Sequence, residues 1–194
     1  MLQRALDHLL KNVLPAADEY DSAEKALSAA FSAAGGDQVT CQTESNTAKR
    51  RAADVAVAID GLADRAAAAL GITPNAIRAQ VSALCAIETN LREECIDRVC
   101  AVANAYKHDD LRDPKHPIRS DDDVLVVGAG YGIDGHGLGK FSGIEVMVHQ
   151  TNGEQRKVLA DVPYSIAGWI AFFKQHGTNL PSGEIYVCGM CVSR

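Results

Sequence analysis

Seven glycines fall within the sixteen residues from Gly128 to Gly143, directly after the apolar run Val124-Leu125-Val126-Val127. Glycine loses more backbone freedom on folding than any other residue and has no side chain to pack, so this density rules out a regular helix and interrupts a strand. A strand at Val124 to Val127 followed by a loop is predicted, its glycines serving positive-φ turns, close backbone approach or mobility. This segment separates two kinds of periodicity. Apolar residues recur at helical spacing before residue 110 and with a period of two after residue 123.

In the first part, Leu2, Leu6, Leu9 and Val13 line one face of a helix that Pro15 is expected to end or kink. Asp21 and Glu24 have capping-box spacing, which predicts a second helix from Asp21 to the stop at Gly35-Gly36. An alanine-rich helix is predicted from Thr47 to Leu70, closed by Gly71. Thr73-Pro74 is a strong helix start. The pattern then runs on through Ile77, Val81, Leu84, Leu91, Cys95, Val99, Val102 and Tyr106, as one helix or as two with a fresh cap at Asn90 and Glu93. Short loops between these helices suggest an up-and-down bundle.

The polar stretch from Asp109 to Asp123 carries Pro114 and Pro117 and reads as a connector. Beyond it, Ile144, Val146 and Val148 alternate with Glu145, Met147 and His149, the period of a half-buried strand. Thr151-Asn152-Gly153-Glu154 predicts a type I′ hairpin into Gln155 to Ala160. A helix from Ser165 to His176 has Ile166, Trp169, Ile170 and Phe173 on one face, and Glu184 to Cys188 is a last strand. The expected fold is α+β: a helical bundle over 1–110, a connector over 111–122, and a small antiparallel α+β unit over 123–194 carrying the glycine-rich loop 128–143.

With 194 residues, 47% of them hydrophobic and 23% charged, the chain can bury a core, and disorder is not expected. A formal net charge of -6 argues against sequence-blind nucleic-acid binding, which needs an excess of Lys and Arg. No apolar stretch is long enough to span a bilayer, and acids and His stand where a signal peptide would be apolar, so a cytoplasmic location with free thiols is expected.

Familiar phosphate-binding motifs fail on context. Val124 to Gly132 has the look of a dinucleotide-binding turn, but the third glycine comes one residue early and no helix follows. Around Gly139-Lys140, Asp134 stands in place of the first P-loop glycine and Phe141 in place of the Mg²⁺-binding hydroxyl. Successive glycine amides can still form an anion-binding concavity, which makes Gly130, Gly132, His136 and Lys140 candidate ligand-binding residues. The alternative is a long loop with Asp134, His136 and Lys140 solvated. Cys188-Gly189-Met190-Cys191 has zinc or redox spacing without a second half-site or a helix N-terminus, so neither a metal nor another cofactor is expected.

Asp97, Asn104 and His108 form a polar stripe that faces either solvent, the C-terminal part or a partner subunit. The run Asn104-Ala105-Tyr106-Lys107-His108, closing the last helix of a bundle, resembles the HEPN-type helical domains of bacterial and archaeal proteins. That resemblance implies a homodimerising bundle and, in active members, metal-independent RNA cleavage by an Arg and a His. Here these would be Arg98 and His108, with Lys107 able to stabilise charge; nine residues lie between the two, more than in the active pattern.

The expectation from the sequence is thus a non-catalytic binding or regulatory module that takes a small anionic ligand at the glycine-rich loop, with Asn104, Lys107 and His108 beside it. A HEPN-like ribonuclease acting on RNA and a structural subunit with a protein partner are the alternatives.

Overall fold

A computed structural model describes residues 2–108, 111, 113, 116–129, 134, 140 and 143–193. The fold is α+β, helices preceding small antiparallel sheets. The first two helices, α1 (Gln3–His8) and α2 (Leu14–Ala33), follow one another without a break. They are joined by a π-helical turn, Leu9–Val13, in which the Leu14 amide donates to the Leu9 carbonyl five residues back. Pro15 therefore does not end the helix. A π turn is wider than an α turn, and placed just before the proline it accommodates a residue that lacks an N–H and crowds the preceding turn. Asp21 does not cap a new helix either; it lies within α2 and pairs with Lys25 one turn on. Gly35 and Gly36, at φ +63° and +90°, provide the expected stop.

Helix α3 (Gln42–Leu70) starts five residues earlier than predicted and ends on Gly71, whose left-handed backbone lets its amide cap the Ala67 carbonyl. Its buried stripe includes Ala48, Ala52, Ala56, Ala63 and Ala66, small enough for close packing against α2 and α5. Thr73 caps α4 (Pro74–Ser82) by accepting the Ala76 amide. A hairpin of two-residue strands, β1 (Ala86–Ile87) and β2 (Asn90–Leu91), then separates α4 from α5 (Cys95–Lys107). The Asn90 and Glu93 cap is thus replaced by a sharper break: Glu94, at φ +59°, leads into the helix.

The main sheet has the order β3-β4-β5, all antiparallel, from β3 (Val124–Ala129), β4 (Gly143–His149) and β5 (Gln155–Lys157). The central β4 is buried on both faces from Ile144 to Val148, not half-buried, because α2, α3 and α6 all pack against it. Its link to β5 is a three-residue loop: Gly153 donates to the Gln150 carbonyl at 2.8 Å and sits at φ +87°, while Asn152 keeps negative φ. A type I turn closed by a left-handed glycine therefore replaces the predicted type I′ turn.

Helix α6 (Val158–Gln175) begins seven residues before the predicted start and carries Pro163. Every residue from Val158 to Ile170 is buried, as expected for a helix apolar on all sides that runs through the middle of a fold. Trp169, Phe172 and Phe173 form its aromatic cluster, ring centroids 5.5–6.1 Å apart. A last hairpin, β6 (Ile185–Val187) and β7 (Met190–Ser193), covers α6 and α2. It turns through Cys188 and Gly189, both at positive φ. One continuous core takes in residues from all the helices and from β3, β4, β6 and β7. Among the described residues, no helix is long and apolar enough to cross a membrane.

Candidate functional site

The interior holds a chain of charges that the apolar patterning gives no reason to expect. Arg92 leaves the β1–β2 hairpin with its amide bonded to the Cys85 carbonyl, and Arg98 lies in the first turn of α5. Both converge on Asp161 in the first turn of α6, where the helix dipole favours a carboxylate. Arg98 grips Asp161 with two nitrogens, Nε to Oδ2 at 2.9 Å and Nη2 to Oδ1 at 2.8 Å, and Arg92 Nε adds a third bond at 2.6 Å. The remaining nitrogens of Arg92 close on Asp134: Nη1 to Oδ1 at 3.0 Å and Nη2 to Oδ2 at 2.6 Å.

Burial opposes charge on both arginines, but the carboxylates of Asp161 and, for Arg92, Asp134 outweigh it and hold each guanidinium protonated. Charge-assisted, two-pronged pairs of this kind are the strong ones, and each fixes orientation as well as distance.

A second group lies against β4. Glu24 on α2 accepts the Tyr20 hydroxyl at 2.8 Å, the Val146 amide at 3.0 Å and Lys140 Nζ at 2.6 Å. Lys140 Nζ also donates to the carbonyls of Glu24 and Ile144. Lys157 joins the two groups: its backbone amide reaches Asp134, and its ammonium lies 3.0 Å from Glu145 and donates to the Lys140 carbonyl. Burial pushes the Glu145 carboxyl above its ordinary pKa, with Lys157 working against that rise.

The glycine-rich segment is thereby fastened at two points. Asp134, its side chain 1% exposed, and Lys140 are both drawn inward and not solvated. Lys140 spends its ammonium on three oxygens of the protein. Gly130, Gly132 and His136 lie outside the described residues.

The residues nominated at the end of α5 stand elsewhere. Lys107 pairs with Asp60 at 3.0 Å, alongside Arg78 at 2.7 Å. Asn104 is half-buried and its carbonyl accepts the His108 amide; His108 is exposed at the helix end. Arg98 and His108 are ten residues apart on one helix, roughly 15 Å at 1.5 Å per residue, and Arg98 is committed to Asp161. The structure does not bring them together. Cys188 in the β6–β7 turn and Cys191 on β7 are half-buried free thiols, and no cluster of three or more His, Cys, Asp or Glu suited to a metal occurs among the described residues.

Above the first ion cluster opens a cleft of about 890 Å³. Arg92, Arg98 and Asp134 form its floor. Its walls come from three hairpins and one helix: Glu88 and Leu91 of β1–β2, Asn152 and Arg156 of β4–β5, Met190 and Cys191 on β7, and Tyr164 on α6. Of the nominated residues that the structure describes, Arg98 alone lines it. Arg92, Asp134, Arg156 and Asp161 were missed, and the one available signal was local: Asp161 interrupts the otherwise apolar Val158-Leu159-Ala160-Asp161-Val162.

Comparison with protein-family models, with curated proteins and with solved structures finds no match for this chain. Fold and site together define an α+β protein with a polar cleft built over buried ion pairs.

Proposed function

We propose that the protein is a binding module that takes a small polar ligand in the cleft over Arg92, Asp134 and Arg98. The observation that carries this reading is a cleft of ligand size whose floor is held by buried, mutually fixed charges. Such a floor needs no reorganisation when a ligand arrives, and a pre-organised site loses less affinity to ordering. The glycine-rich segment contributes through Asp134, its anchor to that floor, and not through the ammonium of Lys140.

A thermal-shift screen against amino acids, polyamines, carboxylates, nucleotides and sugar phosphates tests this. A ligand at about 100 times its dissociation constant adds about 2.7 kcal/mol, several degrees for a protein of this size. The expected result is a stabilising ligand whose effect disappears in Asn152→Trp, where an exposed rim residue becomes bulky enough to obstruct the opening. A ligand that binds the Trp variant undiminished, or silence across the screen, contradicts the reading.

A further inference from the structure

We infer that Cys85 and Cys95 are a reversible disulfide pair whose oxidation locks the hairpin wall of the cleft; the consequence for binding rests on the cleft being the ligand site, while the bond itself does not. The chain turns back on itself between the two cysteines. The Arg92 amide donates to the Cys85 carbonyl at 2.9 Å, Ala86 pairs with Leu91 and Ile87 with Asn90, and Cys95 then opens α5. Residues 87, 88 and 90–94, close to half of those that line the cleft, lie inside this turn.

Both side chains are buried in the core, each 0% exposed. Cys85 Sγ donates to the Val81 carbonyl at 3.3 Å and packs on α6 at Gly168, where a Cβ would lie 2.6 Å away. Cys85 is also hydrogen-bonded to Cys95, and that bond, followed by burial, pushes the Cys85 thiol above its ordinary pKa. A disulfide needs two side chains directed at each other, and this contact supplies them.

Access comes from the hairpin. Its strands have two residues each, and so short a pair is marginal on its own. Glu88 and Glu94 hold left-handed φ of +56° and +59°, a conformation that is costly for residues other than glycine. A segment with few bonds and two strained residues is among the first to open locally. Opening exposes both thiols to a low-molecular-weight disulfide such as oxidised glutathione.

The thiolate of one cysteine then attacks a sulfur of that disulfide and releases one glutathione. The second cysteine attacks the resulting mixed disulfide and releases the other. Two electrons pass from the cysteine pair to glutathione, and the two thiol protons end on the two glutathione molecules formed. The new ring, residues 85–95, restricts the unfolded chain and holds Arg92 and the β1–β2 hairpin in place.

Peptide mapping by mass spectrometry tests the inference on the intact protein, incubated in glutathione redox buffers just below its melting midpoint. In oxidised buffer a bond should join the peptides that contain Cys85 and Cys95. The melting temperature should rise by several degrees and amide exchange over 86–92 should slow. Dithiothreitol should reverse all three, and Cys85→Ala and Cys95→Ala should each show neither the bond nor the rise.

Cys85 and Cys95 both still free in oxidised buffer, or joined to other cysteines, overturn the inference; mapping of the natural protein reads this whether or not the variants fold. A bond between them that leaves exchange over 86–92 unchanged overturns it as well. None of these readouts involves a ligand, so failure here leaves the cleft as the ligand site, and an empty thermal-shift screen leaves the disulfide standing.

Discussion

Arg92 and Asp134, 42 residues apart in sequence, meet through two parallel hydrogen bonds of 3.0 and 2.6 Å that fasten the glycine-rich segment to the β1–β2 hairpin. Both side chains are almost wholly buried. Removing one partner leaves the other charge stranded in a poor solvent, which in proteins costs about 3–5 kcal/mol. Asp134→Asn should therefore lower the free energy of unfolding by that order. Lys25→Ala, which breaks the exposed pair with Asp21, should change it by no more than about 1 kcal/mol. Urea denaturation of the two variants checks the contrast, and equal effects would mean that the buried cluster does not hold the fold.

Two glycines in helices should respond to alanine with opposite sign. A Cβ on Gly168 of α6 would lie 2.6 Å from Cys85 Sγ and 3.0 Å from the Val81 carbonyl, where α4 crosses. Overpacking of this kind typically costs about 1–3 kcal/mol, more than the roughly 0.5–1 kcal/mol that alanine gains over glycine in a helix. A Cβ on Gly61 of α3 would meet the tip of Arg65 at 2.9 Å, a flexible group that moves aside. Gly168→Ala should lower the melting temperature and Gly61→Ala should raise it slightly.

His8 should make stability depend on pH near neutrality. Burial lowers its pKa from the ordinary 6.5; the contact with the Ala58 carbonyl opposes this and Arg65 adds to it. A folded pKa below the unfolded one means that folding favours the neutral ring. The stability this confers is present above pH 6.5 and is lost as pH falls through 6.5 toward the folded value. Melting temperatures between pH 7.5 and 5.5 should fall less steeply in His8→Gln than in the natural sequence. The carboxyl of Asp60 does not interfere in this window. Burial would raise its pKa, but Arg78, Lys107 and Cys100 outweigh that and hold it below 3.8.

What was legible in the sequence is what local physics decides. The start at Thr73-Pro74, the glycine stop after Leu70, the burial of Trp169 and the strands flanking the glycine-rich segment follow from caps, breakers and periodicity. Pro15 does not end the helix, one of the two outcomes the proline rule allows, because the backbone had another option, a π turn just upstream. The β1–β2 hairpin was invisible because strands of two residues carry no period. The buried charges were hidden for a different reason. Glu24 in a helix and Glu145 in an alternating strand look like solvent-facing residues, and their partners Lys140, Val146 and Lys157 are supplied by the tertiary fold. Only Asp161, a lone acid in an apolar run, announces itself, and nothing local says that Arg92 and Arg98 will meet it.

The central claim is that the cleft over this ion cluster is where the protein binds its ligand. Amide chemical shifts of the isotope-labelled protein, followed during titration with a compound that stabilises it in the thermal-shift screen, test it most directly. The account predicts saturable changes confined to residues 87–94, Arg98, Asp134, 152–156, Tyr164 and 190–191. Changes centred on Asn104, Lys107 and His108 at the far end of α5, or a spectrum unchanged at saturating ligand, would contradict it.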